Sequence, residues 1–183
     1  MSNLETILNR NEQFFKNFKE GDLPILPKLR TVIITCLDAR VDPAFIFNLD
    51  LGECVVIRNT GGRITQDVVD QIAILAALVA VQASQMADAS VASFDIIVMH
   101  HTQCGVQNFA QLKVQQMIKS QLGLDVAPLA ITDHAISLTE DVQRLKDAPT
   151  VPKHLGVTGC IYDVKTGKVE EVIKAGKLSE ILV

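Results

Sequence analysis

The 183-residue chain lacks any cluster of lysine and arginine, and its formal net charge at pH 7 is −4. A protein that binds nucleic acid through phosphate contacts needs a concentrated positive surface. The composition therefore argues against a nucleic-acid partner.

The sequence also lacks a secretory signal and an apolar run long enough to span a membrane. No basic stretch followed by an apolar core occurs at the start. The longest uncharged apolar run, residues 72–81, is about half the length that a bilayer requires and is typical of a buried helix. We therefore expect a cytoplasmic protein with no membrane partner.

Several common catalytic motifs are missing as well. Four cysteines without a signal peptide favour free thiols or metal ligands over disulfides. The residue six positions after Cys36 is Asp42, so the arginine of a cysteine phosphatase is absent. No phosphate-binding loop with the P-loop pattern occurs, and Gly61 and Gly62 lack the third glycine of a dinucleotide fingerprint.

The overall composition is typical of one globular domain. Apolar residues make up 48% of the chain and charged residues 21%, proportions that permit a substantial core without disulfides. No linker, repeat or low-complexity tract divides the sequence. We therefore predict a single domain over residues 1–183.

Apolar strands alternate with helices along this domain. Strands are predicted at 31–35, 54–57 and 94–99, helices at 43–47, 65–83, 107–122 and 137–146, and a final hairpin at 159–164 and 168–173. The helix at 137–146 is expected to begin with a capping box at Ser137 and Glu140. This alternation indicates an α/β fold: a mostly parallel central sheet of about five strands, flanked by helices, with an antiparallel C-terminal edge strand.

An extended N-terminal helix precedes the first strand. Apolar residues recur at roughly helical spacing through residues 3–19 and include Phe14, Phe15 and Phe18. Residues 1–24 are thus predicted to form a helical arm that packs on a partner subunit. The helix at 65–83 is apolar on nearly every side, which also suggests a subunit interface.

Chemically informative residues follow two of the predicted strands. Cys36, Asp38 and Arg40 come after the first strand, and His101 and Cys104 after the third. Ligands bind at the carboxyl ends of parallel strands, where strand order reverses. If these two strands are neighbours, two thiolates and an imidazole meet there, which is a standard zinc set with a fourth position open for chemistry.

The remaining histidines and cysteines have simpler interpretations. His101 is preferred to His100 because strand alternation and the two-residue spacer place it on the side of Cys104. His100 is then a packing residue behind the site. We expect His134 and His154 to be solvent-exposed in polar loops. Two other thiols, at Cys54 and Cys160, lie within predicted strands and are expected to be buried and structural.

With these residues in view, the chain resembles the β-class carbonic anhydrases, in particular their short archaeal and bacterial type. The similarity extends over residues 30–174. It is carried by four segments: residues 36–40 (CLDAR), 56–62 (VIRNTGG), 100–105 (HHTQCG) and 159–163 (GCIYD).

The resemblance implies one zinc ion on Cys36, His101 and Cys104, and a dyad of Asp38 and Arg40. It further implies a homodimer or dimer-based oligomer whose N-terminal helices wrap around their neighbours, and reversible hydration of carbon dioxide to bicarbonate. Many short-type relatives carry aspartate where this chain has Gln103. That position is not a metal ligand, so the difference bears on a local salt bridge or a proton route.

The residue types suggest how such a site works. Two thiolates nearly cancel the charge of the zinc ion, so a bound water is less acidic than on a three-histidine site, where its pKa is about 7. Asp38 can accept a hydrogen bond from that water and turn a lone pair toward the substrate, while Arg40 holds the carboxylate. Backbone amides after Cys104 can stabilise the forming bicarbonate.

The sequence leaves several alternatives open. The Asp38–Arg40 pair could be a plain salt bridge at a strand end, or Asp38 could itself occupy the fourth zinc position and close the enzyme. The same fold and metal could hydrolyse carbon disulfide or carbonyl sulfide if the approach to zinc were narrower and more apolar. A catalytically silent homologue that binds zinc or bicarbonate is the other alternative, although zinc binding alone would not require the dyad.

Overall fold

The computed structural model describes residues 2–86 and 92–183. In these residues five strands form one sheet in the order β2-β1-β3-β4-β5. The strands are β1 (Thr31–Cys36), β2 (Cys54–Asn59), β3 (Asp95–His101), β4 (Gly156–Tyr162) and β5 (Val169–Lys177). The first four are parallel, and β5 is antiparallel to β4. The predicted sheet is confirmed.

Helices cover and connect these strands. The α-helices are α1 (Asn3–Asn17), α2 (Pro43–Ile46), α3 (Gln66–Met86), α4 (Leu112–Leu122) and α5 (His134–Asp147). Short 3₁₀ turns lie at Thr60–Gly62, Gly105–Ala110 and Ala127–Leu129. The helix expected at 107–122 is therefore a 3₁₀ segment followed by α4, with a break between them.

Strand register determines where the functional residues meet. On β1, Thr35 pairs with Met99 of β3 and Cys36 pairs with Asn59 of β2. The buried Thr35 hydroxyl donates a hydrogen bond to the Met99 carbonyl at 2.8 Å. The carboxyl ends of β1, β2 and β3 therefore lie at one edge, with the central β1 between the other two.

The main core lies between one face of the sheet and helices α3 and α5. It includes Val32, Ile34, Ile96 and Val98 from the sheet. The helices contribute Val68, Val69, Ile72, Leu138, Val142 and Leu145. Such continuous β-branched strands are typical of a parallel sheet buried on both faces. A smaller apolar cluster around Val41, Met99 and Cys160 covers the opposite face.

Helices α1 and α3 leave apolar side chains exposed. No residue of α1 is buried. On α3, the side chains of Ile74, Leu78 and Val81 are more than half exposed, whereas Ile72 and Val79 belong to the core. The predicted apolar helix is thus confirmed, but only one of its sides is covered within the chain.

Helix α3 is also long and apolar enough, by length and composition, to cross a membrane, and it is the one such helix among the described residues. A core helix passes the same test, and one third of the most apolar 18-residue window is buried in the core. This property is therefore weak evidence for a membrane span.

The predicted start of α5 was wrong. The helix begins at His134, and the carboxylate of Asp133 caps it by accepting a hydrogen bond from the backbone amide of Ile136 at 2.9 Å. Ser137 is buried one turn inside the helix. The pattern of Ser137 and Glu140 imitates a capping box, but Asp133 already occupies the cap position one turn earlier.

Candidate metal centre

Three metal-binding side chains converge at the carboxyl edge of the sheet. Cys36 ends β1, His101 ends β3, and Cys104 follows in the turn after β3. Their ligand atoms all lie within 4.8 Å of one another, and all three residues are buried. The sheet thus brings together the predicted set, which is separated by 65 residues in the chain between Cys36 and His101.

The distances and hydrogen bonds fit zinc. The sulfurs of Cys36 and Cys104 are 3.8 Å apart, far beyond a disulfide bond of about 2.05 Å. Two sulfurs each about 2.3 Å from one tetrahedral zinc would lie roughly 3.8 Å apart. The His101 Nδ1 donates to the Thr102 carbonyl at 3.0 Å, which leaves the buried Nε2 without a protein partner and free to bind a metal.

The electrostatics of the two thiols also favour a cation. A hydrogen bond from the Cys104 thiol lowers the pKa of Cys36, and contacts with His101 and the backbone amides of Asp38 and Gly61 lower it further. The neighbouring Cys36 thiolate in turn raises the pKa of Cys104. A divalent ion at this position would allow both sulfurs to ionise.

Asp38 and Arg40 form a two-pronged ion pair beside this cluster. The Arg40 Nε donates to Asp38 Oδ1 at 3.0 Å, and Nη2 donates to Oδ2 at 2.7 Å. The backbone amide of Arg40 adds a third hydrogen bond to Oδ1 at 2.9 Å. These hydrogen bonds, above all those from the Arg40 side chain, hold the pKa of Asp38 well below its usual range. The carboxylate is thus charged and oriented.

Further hydrogen bonds fix this dyad to the scaffold. Arg40 Nη2 also donates to the Gln103 carbonyl at 3.1 Å, and Gln103 has a left-handed φ of 57°. Arg58 donates to the carbonyls of Cys36 and Asp38, at 3.1 and 2.8 Å. The sequence motif contained Arg58 and Gln103, but neither contact was predicted because both depend on backbone carbonyls.

The turn after β2 packs tightly against Cys36, the first of the three candidate ligands. A Cβ on Gly62 would lie 2.9 Å from the backbone nitrogen of Cys36, and Gly62 has a φ of +67°. Only glycine combines this left-handed backbone with so close an approach. The Thr60–Gly62 turn therefore supports Cys36 directly.

The other histidines and cysteines divide into confirmed and corrected predictions. His100 is fully buried and packs behind the site as expected, and His154 is exposed. The prediction of an exposed His134 was wrong: it is partly buried, and its ring packs edge-on against His100 with centroids 5.8 Å apart. Both Cys54 and Cys160 are free thiols, the first partly buried and the second buried.

Comparisons with known proteins agree with this geometry. The carbonic anhydrase family model matches residues 31–148. The chain is 30% identical to β-carbonic anhydrase 1 of Mycobacterium tuberculosis over 174 residues, which cover 94% of this chain and 99% of the relative. Its structure is similar to the carbonic anhydrase of Streptococcus mutans, with a TM-score of 0.75, 34% identity, and coverage of 94% and 98%.

A more distant relative has a different activity in its name. The carbon disulfide hydrolase of Acidithiobacillus thiooxidans is 24% identical over 161 residues, which cover 75% of this chain and 74% of that protein.

The fold and site together define an α/β enzyme with a buried Cys₂His set that fits a catalytic zinc ion. The chain belongs to the carbonic anhydrase family, in its β class. It is a zinc-dependent enzyme that hydrates carbon dioxide reversibly to bicarbonate and a proton.

Proposed function

We propose that Cys36, His101 and Cys104 are the zinc ligands of this carbonic anhydrase, and that Asp38 and Arg40 are its catalytic dyad. Zinc, when bound, supplies a Lewis acid that makes a water molecule more acidic. The observation that carries the proposal is the charged, doubly anchored Asp38 carboxylate beside three buried ligand atoms. A site that only bound zinc would not need this dyad.

Asp38 is proposed to orient the nucleophilic water. Its carboxylate can accept a hydrogen bond from that water, so that a lone pair of the water oxygen faces the carbon of carbon dioxide. Arg40 engages both carboxylate oxygens and so keeps Asp38 turned away from the metal position. This arrangement supports an open, active site rather than one closed by Asp38.

The experiment that tests the dyad is stopped-flow hydration of carbon dioxide by Asp38→Asn protein whose zinc content has been measured. Asparagine presents an N–H₂ group in place of one carboxylate oxygen and carries no charge, so we expect kcat to fall about 100-fold with zinc retained. Asp22→Asn, a change in an exposed loop, is the control and should be unaffected. Full activity in Asp38→Asn would refute the role.

The same assay decides between substrates. The carbon disulfide hydrolase relative makes carbon disulfide and carbonyl sulfide the necessary comparison substrates. We expect hydration of carbon dioxide to dominate. Zinc-loaded protein that hydrolysed only the sulfur compounds, or no substrate at any pH, would favour one of the two alternatives.

We further propose a cytoplasmic homodimer, or a larger oligomer built from dimers, in which residues 1–24 are the arm of a single domain over 1–183. Support comes from exposed apolar side chains on and beside α1: Leu4, Ile7, Leu8, Phe14, Phe15 and Phe18. A helix with no buried residue gains little stability from its own chain, so a second copy that covers this face accounts for its composition.

A further inference from the structure

A buried ion-pair network lies behind the metal centre, on α5. Asp141 is 1% exposed and accepts three hydrogen bonds. Arg63 Nε donates to its Oδ2 at 2.8 Å, His100 Nε2 donates to the same oxygen at 3.1 Å, and the backbone amide of Ile64 donates to Oδ1 at 3.1 Å. One carboxylate therefore joins α5 to both the segment after β2 and the end of β3.

The Arg63 branch of this network leads to the first metal ligand. Arg63 is 4% exposed, and its Nη1 also donates to the Ala130 carbonyl at 2.8 Å. It directly follows the Thr60–Gly62 turn, in which Gly62 packs against the Cys36 backbone. Arg63 is therefore anchored directly beside the turn that packs against Cys36.

The His100 branch leads to the second metal ligand. His100 precedes His101 on β3, and both are fully buried. The hydrogen bond from Nε2 to Asp141 fixes the ring of His100 on the helix side of the sheet. Since neighbouring strand residues point to opposite faces, this anchor fixes the backbone orientation from which His101 projects.

We propose that Asp141 is a positioning residue of the zinc centre, which aligns Cys36 through Arg63 and His101 through His100. The proposal rests on the assignment of Cys36, His101 and Cys104 as ligands. Groups that orient metal ligands from behind typically change metal affinity 10- to 100-fold when they are removed. Asp141 differs from an ordinary core residue because it is linked to two of the ligands indirectly, through separate hydrogen bonds to Arg63 and to His100.

The test measures zinc affinity of Asp141→Asn by competition with a chelator, together with the absorption spectrum of the cobalt-substituted protein. Loss of the charge leaves Arg63 and His100 poorly paired, so we expect zinc affinity to fall roughly 10- to 100-fold, with an altered cobalt spectrum. Leu145→Ala on the same helix is the matched control, because Leu145 is fully buried and only packs in the apolar core. It should destabilise the fold without changing the spectrum.

A second variant distinguishes a loss of ligand positioning from misfolding of the Asp141→Asn protein. His100→Phe keeps a ring of similar size and leaves the Arg63–Asp141 ion pair in place, so it should fold and still alter the cobalt spectrum. Wild-type zinc affinity and spectrum in His100→Phe, or losses in Asp141→Asn no larger than in Leu145→Ala, would overturn the proposal. Cys104→Ser is measured in parallel: if it kept wild-type zinc affinity, the ligand assignment itself would fail.

Discussion

Arg40 shows how much of this site depends on single side chains. Its guanidinium binds both oxygens of Asp38 and, through Nη2, the carbonyl of Gln103. Arginine suits this place because it offers a planar fork of donors, whereas lysine would offer a single point charge. The dyad is therefore tied to the turn that carries Cys104.

Gly62 yields a prediction at the same scale. Gly62→Ala places a methyl group 2.9 Å from the Cys36 nitrogen in a left-handed residue, whereas Gly123→Ala meets the same backbone strain, at a φ of +70°, with no atom within 4 Å. We expect Gly123→Ala to cost about 1–2 kcal/mol in the free energy of unfolding. Gly62→Ala should cost more and should also weaken zinc binding.

Urea unfolding and chelator competition on both variants check this expectation. If the two substitutions had equal effects, the close approach of the Thr60–Gly62 turn to Cys36 would have no consequence beyond backbone strain.

Helix α5 contributes side chains to the region behind the candidate metal centre, although it lies far from Cys36 in the sequence. Its first residue, His134, packs on His100, and its second turn supplies Asp141. The helix thus contributes to the apolar core through Leu138, Val142 and Leu145, and to the region behind the metal through polar contacts. Leu138, Asp141 and Leu145 recur at intervals of three and four residues, so the polar and apolar contacts lie on the same side of the helix.

A pH prediction follows for the start of α5. Burial lowers the pKa of His134, and so do the nearby rings of His100 and His101, while Asp133 opposes them. Below pH about 6.5 the unfolded chain takes up a proton that the folded protein resists. The free energy of unfolding should therefore fall as the pH decreases from about 7 to 5, and His134→Phe should make this fall shallower.

Urea unfolding of wild type and variant at several pH values measures the difference between them. The control is His154→Phe, at an exposed histidine, which should leave the slope unchanged. An identical pH dependence in wild type and His134→Phe would contradict the prediction.

At the scale of the whole molecule, α1 is the clearest sign of assembly. Phe15 is 75% exposed, although burial of such a side chain is worth about 1.5–3 kcal/mol. If α1 packs on a second copy, Phe15→Asp should weaken self-association about tenfold or more, and removal of residues 1–19 should weaken it further.

Sedimentation of these variants over a range of concentrations is the measurement. Glu12→Gln, on the same helix and exposed, is the control and should sediment as the wild type does. An unchanged sedimentation profile after removal of residues 1–19 would exclude the arm from the interface.

Much of the fold and the proposed ligand set could be predicted from the sequence because the signals are local. Continuous β-branched runs form buried strands, and parallel strands place the residues that follow them at one edge. Cys36, His101 and Cys104 occupy such positions. Their residue types and their places at strand ends were therefore enough to predict a metal site. Strand and helix ends were less accurate, as β4 and α5 show, since caps depend on which of several polar residues the backbone uses.

Only the tertiary structure decided which distant groups join. Asp141 lies 78 residues from Arg63 and 41 from His100, and no periodicity links such positions. The partial burial of His134 likewise depends on the packing of α5 against β3. Local residue preferences determined the strands and the residue types at their ends, whereas the contacts of Asp141 with Arg63 and His100 arose when the sheet and α5 came together.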